Sequence, residues 1–371
     1  MAVEQSPAES PMEAFYRDIS AKSFDALWRR HGPPTPTADE VKALYQPHLW
    51  RWQDVEPFLY RAMELVKPSH EDQRRVLTLD NPSVNPMHAA THTISGAVQV
   101  VLPGETAPSH RHTMAAIRFV IKGKGAITFI DAEGCTMTPG DLILTPGWTW
   151  HGHVNQGDAP MIWMDSLDVP LVSMLRHGLY EDYPDQLFPA TKPIDDSLHR
   201  YGRGHLKPVW DKTEGPISPL LSFPWEQTER ALHELAQSDQ SPFDDVAFEY
   251  THPTTGGHVL PTIGCWIQML RPGVKTLAHR HSNVSLYHMF RGSGSTIVDG
   301  VQIDWEEGDF LAVPPYAWHE HHNRSTSDEA VMFSTNDIPV MESLNLLREQ
   351  PYLQHGGHQP ITGQYSASTG A

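Results

Sequence analysis

The sequence predicts an all-β protein built by internal duplication, with helices confined to the amino terminus and to one connection. Three observations carry this expectation. The 371 residues include 32 Pro and 26 Gly, a punctuation that suits many short strands and turns better than a helical bundle. Short alternating or apolar runs, bounded by turn residues, fill two separate stretches. Those stretches also match each other in motif and in order, the signature of a repeat.

Residues 1–84 read as a helical region, because FYRDISAKSFDALWRR and TADEVKALY carry apolar residues at three-to-four spacing, the second with Thr37 as N-cap. HGPPTPT must break the chain between them. Over 85–175, AVQVVL, IRFVIKG, AITFI and LILTP read as strands separated by Gly, Pro and Asp. Residues 176–245 form a polar linker whose segment PWEQTERALHELAQ is an amphipathic helix. Strand texture resumes over 246–340, and 341–371 is expected to hold a helix and a disordered tail ending in SASTGA.

Charge and cysteine usage narrow the function. Lys plus Arg number 27 against 45 Asp plus Glu, a net charge of −18 with no long basic run, so nucleic acid and anionic membranes are disfavoured as partners. Cys135 and Cys265 are the only cysteines, too few for a disulfide framework or a zinc knuckle and consistent with a reducing cytosol. MAVEQSPAES lacks a basic n-region and an apolar core, and no later run approaches the roughly 20 apolar residues of a membrane span. A soluble, cytoplasmic protein is expected.

The repeat supplies the chemistry. PGETAPSHRH followed by GDLILTPGWTWHGHVN recurs as PGVKTLAHRH followed by GDFLAVPPYAWHEHHN. Gly104 and Gly273, His110 and His279, and His112 and His281 are each 169 apart, while Gly140 and Gly308, Pro146 and Pro314, His151 and His319, and Asn155 and Asn323 are each 168 apart. In a strand, residues i and i+2 share a face, so His110 and His112 can converge on one ion, and the turns at Gly140-Asp141 and Pro146-Gly147 can bring His151 back beside them. Three imidazoles with open positions opposite make a catalytic metal site rather than a closed structural one. His279, His281 and His319 repeat the set. Zinc, iron, copper, nickel and manganese all suit such donors.

G-x5-H-x-H followed by G-x5-P and H-x3-N resembles the two-part signature of the cupin superfamily, present twice as in bicupins. The resemblance implies two jelly-roll barrels (double-stranded β-helices) with an interior metal cavity. Many cupins carry a glutamate ligand five positions after the second His; Ile117 and Leu286 stand there, which leaves a neutral three-His set and a metal able to bind an anionic chelate. More narrowly, RRVLTLDNPS (74–83), QVVLPGETAPSHRHTMAAIRFVIKGKGAITFI (99–130) and WMDSLDVP (163–170) resemble the gentisate 1,2-dioxygenase family, which includes salicylate and 1-hydroxy-2-naphthoate dioxygenases. That likeness implies Fe(II), cleavage of a small aromatic hydroxy acid by O2, and a homotetramer. The leading expectation is gentisate opened to maleylpyruvate; the alternatives are the salicylate or hydroxynaphthoate reaction, or a non-catalytic, oxalate- or sugar-acting bicupin.

Further site residues follow from strand parity and from the resemblance together. Arg118, six after His112, shares its face; the resemblance assigns it the substrate carboxylate, against the plain alternative of pairing with an acidic neighbour. Arg74 matches a family position that closes over the substrate, and Gln99 a pocket position. His153 shares parity with His151, and Asp165 in WMDSLD matches a family carboxylate, so the pair is expected either to relay a phenol proton or merely to orient a ligand. Ser95 and Ala97 stand where relatives often have an aromatic and a glycine, which widens the expected pocket. At the 169 offset, Tyr287 replaces Arg118 and Ser334 replaces Asp165, so the second barrel is expected to keep its ligands and lose turnover.

Overall fold

A computed structural model describes residues 9–29, 37–67, 74–204, 206–212 and 214–366. The expected break through His31–Pro36 and most of the carboxy-terminal SASTGA lie outside the described residues. The chain forms two compact units, residues 1–41 and 42–371.

In the first unit, Ser10 and Glu13 form a capping box that opens the helix Pro11–Ser20. This helix stops ten residues short of the expected end at Arg30. Ser23 adopts a φ of 60°, which no α-helix accommodates, and the apolar residues beyond it form only the short 3-10 turn Leu27–Arg29. Thr37 does cap the next helix, Ala38–Leu44: its hydroxyl accepts from Glu40 N at 3.3 Å while its own N–H donates to the Glu40 carboxylate at 2.7 Å.

The second unit holds two barrels, each made of two sheets. In the first barrel a six-stranded sheet runs Ser222–Phe223, Leu142–Thr145, Ala116–Lys122, Met161–Leu167, Ser95–Val101, Arg75–Thr78. The opposing five strands are Tyr180–Asp182, Thr106–His112, His151–Asn155, Ala126–Ile130 and Glu133–Met137. The second barrel repeats this with His48–Trp50, Phe310–Val313, Ser285–Arg291, Ala330–Asn336, Gly264–Leu270 and Val246–Glu249 in one sheet. Its other sheet is Glu349–Pro351, His279–His281, His319–His322, Gly294–Val298, Val301–Trp305 and Gly363–Gln364.

The sheet containing Ala116–Lys122 in the first barrel and the sheet containing Ser285–Arg291 in the second pack back to back. Ile117, Phe119 and Leu144 of one share a buried cluster with Ile267, Leu286 and Phe333 of the other, and the Phe119 and Phe333 rings stack 4.1 Å apart. These strands are therefore buried on both faces, which is why LILT and FLAV read as continuous apolar runs instead of alternating ones and all four residues of each are buried.

The sequence reading placed helices in 1–84 and one helix in 176–245, and the structure adds strands to both. His48–Trp50 pairs with Phe310–Val313 of the second barrel, and Ser222–Phe223 with Leu142–Thr145 of the first. Each is followed by a helix, Trp52–Leu65 and Trp225–Leu235, whose first N–H donates to the aspartate of a Gly-Asp turn: Trp52 to Asp309 and Trp225 to Asp141, both 2.8 Å. The Trp rings cover Gly308 and Gly140, where an added Cβ would sit 2.5 Å from the indole and φ is +92° and +88°. Each repeat thus lends its leading strand, and the first turn of the helix that follows it, to the other repeat's barrel. Runs of two or three residues are too short to show a period of two, so only their pairing partners reveal them. Beyond 341 the helix Ile338–Ser343 ends, and the described residues add the short strands Glu349–Pro351 and Gly363–Gln364 to the second barrel, with only the 3-10 turn His355–Gly357 between them.

Reciprocal polar contacts lock the barrels together. Asp168 accepts from Ala115 N at 2.9 Å and from the Thr262 hydroxyl at 2.5 Å; Asp337 accepts from Val284 N and the Thr93 hydroxyl, both at 2.8 Å. Burial pushes the Asp337 carboxyl up to about 6. Since an unfolded Asp titrates near 3.9, the native state binds the extra proton between about pH 4 and 6, and stability should fall as pH rises through that window. Asp337→Asn is expected to flatten this part of the profile in Tm measurements from about pH 4 to 7. An unaltered slope would remove Asp337 as its source.

Candidate metal centre and active site

His110 and His112 lie on Thr106–His112, and His151 opens the neighbouring strand His151–Asn155, where it sits directly opposite His110. A bulge between Ala107 and His110 re-aims the strand so that both histidines point inward with His151. One ligand nitrogen from each of the three lies within 4.8 Å of the others. The second nitrogen is engaged elsewhere: His112 Nδ1 is 2.8 Å from Met114 O and His151 Nδ1 is 3.0 Å from Thr149 O. Those contacts place the proton on Nδ1 and leave the Nε2 lone pair for an ion. His151 Nε2 is buried without a partner.

Burial pushes the His112 imidazole down to about 4 and holds His151 well below its ordinary value. The three rings are therefore neutral donors at physiological pH. Ile117 and Leu286, at the position of a possible fourth ligand, face the core between the barrels, so the neutral set is complete without a carboxylate. This donor set fits Fe(II), with open positions for a chelating acid and dioxygen.

The opposite sheet supplies charge. Ala97, Asp165 and Arg118 form one cross-strand row, and Gln99 lies two residues along the same face. Arg118 is buried, with Nε 3.4 Å from Asp165 Oδ1 and Nη1 donating to the Thr145 hydroxyl. Burial lowers the Arg118 pKa, with Asp165 opposing, and raises that of Asp165, with Arg118 opposing. Arg74 turns inward rather than to solvent: it lies across the His110 ring with Nη1 2.9 Å from Nε2, and its Nη2 donates to Pro108 O at 3.3 Å. Burial and Arg118 lower it to about 10, so it stays charged near neutrality. Two guanidinium groups against one carboxylate make a site that favours an anion.

The remaining expected residues are placed as follows. His153 is fully buried, its Nδ1 2.9 Å from the Thr128 hydroxyl and its Nε2 unpartnered. Among the described contacts it has no hydrogen bond to Asp165, whose ion pair is with Arg118. The amide of Gln99 is buried and its Nε2 lacks a partner. Ser95 Oγ donates to Leu167 O at 3.2 Å, so the hydroxyl is tied back to the sheet. Sequence reasoning missed Tyr180, in the segment read as linker, whose strand pairs with the ligand strand and whose ring stacks 5.2 Å from His110. It also missed the hydroxyls of Thr128 and Thr145, which no motif marks.

Two jelly-roll barrels, one enclosing three neutral histidines beside the buried Arg118 and the half-buried Arg74, define a metal-dependent bicupin enzyme. The cupin domain family model matches residues 97–169 and 266–336. Across nearly its whole length the chain is similar to 5-aminosalicylate 1,2-dioxygenase of Comamonas sp (37% identity, 97% of this chain and 96% of the relative) and to gentisate 1,2-dioxygenase 1 of Aquipseudomonas alcaligenes (34%, 94% and 99%). It is similar also to 1-hydroxy-2-naphthoate 1,2-dioxygenase of Nocardioides sp. (34%, 92% and 88%). The crystal structure of salicylate 1,2-dioxygenase from Pseudoaminobacter salicylatoxidans superimposes with a TM-score of 0.84 at 30% identity, covering 94% of this chain and 96% of that one. The chain belongs to the gentisate 1,2-dioxygenase family of ring-cleaving dioxygenases, and its His triads are donor sets that could hold a metal ion. Among the described residues no helix is long and apolar enough to cross a membrane.

Proposed function

We propose that the first barrel opens gentisate with O2 between the carboxyl-bearing and adjacent hydroxyl-bearing ring carbons, giving maleylpyruvate. The observation that carries this reading is the pairing of a neutral three-His set with the buried Arg118 and the half-buried Arg74, which suits an acid that chelates through a carboxylate and an ortho phenol. Bound Fe(II) supplies the template for the acid and dioxygen and the path for electrons between them. Arg118 holds the carboxylate through charge-assisted hydrogen bonds, and Asp165 acts through Arg118 by fixing its guanidinium. Arg74 cannot share the His110 Nε2 lone pair with an ion, so loading the triad frees it for the acid. Gln99 directs its unpaired amide at the same anion. His153 takes the phenol proton at Nε2; Arg118 and Arg74 help burial to hold its pKa low, and an acid that neutralises them makes it a better base.

A second reading, with salicylate, 5-aminosalicylate or 1-hydroxy-2-naphthoate as the acid, is supported by the small Ser95 and Ala97 and by the likeness to the aminosalicylate enzyme. In both readings the enzyme works as a cytoplasmic homotetramer, with its two cysteines as buried free thiols. The test is dioxygen uptake by anaerobically Fe(II)-loaded protein offered each of the four acids and catechol. Gentisate is expected to be turned over fastest, and catechol, which gives Arg118 no carboxylate, not at all. Preference for another acid would transfer the assignment to it, and silence with all four would end the ring-cleavage reading.

A further inference from the structure

We infer that the second barrel holds its own divalent transition-metal ion on His279, His281 and His319, and that this ion carries water or hydroxide, never the aromatic acid, in its remaining positions. The inference does not depend on which acid the first barrel cleaves.

The two triads are built alike. Ring-centroid separations are 5.6, 4.4 and 4.7 Å in the second barrel against 5.4, 4.2 and 4.8 Å in the first. His279 faces His319 across the strand pair as His110 faces His151, and the ligand nitrogens again lie within 4.8 Å of one another. His281 Nδ1 is 3.0 Å from Asn283 O and His319 Nδ1 is 3.0 Å from Ala317 O. Those carbonyls fix the same tautomer as in the first barrel and leave Nε2 free. Three converging neutral imidazoles are the donor set of a first-row divalent ion. Even the supporting hydroxyl is duplicated, Thr296 to His321 at 2.9 Å matching Thr128 to His153.

The opposite sheet is not duplicated. The row Ala97, Asp165, Arg118 becomes Trp266, Ser334, Tyr287. Where Arg74 lies across His110, the Phe243 ring meets His279 edge-on at 5.4 Å. Arg280, on the ligand strand, lies over the Trp318 ring at 4.5 Å and donates to Gln350, away from the triad. Among the described residues no guanidinium faces the second triad, and in the cross-strand row Trp266 and Tyr287 stand at the positions of Ala97 and Arg118. An organic acid placed here would have the metal as its one cationic partner and would be desolvated against aromatic rings where the first barrel offers two guanidinium groups, which is costly. An ion with small ligands meets no such penalty.

The experiment uses the full chain, loaded anaerobically with Fe(II) and desalted. Iron per chain is expected to be two in the wild type and one in both His112→Ala and His281→Ala. Nitric oxide added as an EPR probe should give, in His112→Ala, a signal that gentisate does not alter, while in His281→Ala the remaining signal shifts with gentisate. One iron per chain in the wild type, undiminished by His281→Ala, would overturn the proposal, as would a gentisate-sensitive signal in His112→Ala. If His281→Ala fails to fold, His279→Gln takes its place, and the His112→Ala spectrum decides without either.

Discussion

Replacing His151 with alanine is expected to abolish dioxygen uptake and to remove one iron per chain. Losing a hydrogen-bond partner of a ligand already costs roughly 10–100-fold in affinity or activity, and here a ligand itself is lost. His151 is the only member of its triad that comes from the later strand, opposite His110, so without it two donors from Thr106–His112 remain and the ion is no longer held from both strands. The effect should be a loss of metal rather than of fold. His151 is buried beside the His110 and His112 rings, and it is not a member of the apolar cluster inside the barrel, which includes Val120, Ile143 and Trp163 and reaches it only through Ile130 on the adjacent strand. Elemental analysis and circular dichroism read the two possibilities separately. Iron retained with uptake within tenfold of wild type would refute the triad.

Arg118→Leu should lower kcat/KM by about 10²–10³-fold with iron content unchanged. Breaking a buried ion pair costs about 3–5 kcal/mol, and each 1.4 kcal/mol at the transition state is a factor of ten. The plain alternative is that Arg118 merely neutralises Asp165, 3.4 Å away. The double variant Arg118→Leu/Asp165→Leu separates the two. If Arg118 serves only its neighbour, removing both charges should restore activity. If it holds the substrate carboxylate, the double variant stays as impaired as the single one, with the loss concentrated in KM for acids and in their discrimination from neutral phenols. Arg118→Lys should recover little, because a point charge cannot reproduce the two-pronged contact.

How legible was this protein? The H-x-H pairs, the later histidines and their nearly constant offset were visible because a metal ligand set obeys strand parity, and parity is a local property of the chain. Both triads stand where that parity places them. Arg118 followed from the same rule. Arg74 did not: it lies outside the motifs, and only the pairing of Arg75 with Val100 brings its side chain over His110. The relay expected between His153 and Asp165 shows the opposite limit. Both residues face the interior, yet on opposing sheets, and the distance between sheets is not written in either strand. Tyr180 illustrates a third kind of blindness, since a three-residue edge strand carries no period and owes its place to the register with His110 and His112.

What the sequence by itself determined is the duplication, the two jelly-roll barrels, the two sets of metal donors and the loss of Arg and Asp from the second copy, because each depends on residue type and spacing within one segment. The tertiary structure alone decided three things. The leading strand of each repeat crosses to the other's barrel, Arg118 pairs with Asp165 rather than facing the triad alone, and the Phe243 ring meets His279 of the second centre. The physical reason is common to all three: they are contacts between segments distant in the chain, chosen by which buried faces and unpaired backbone groups can be satisfied together, and no single segment holds that information.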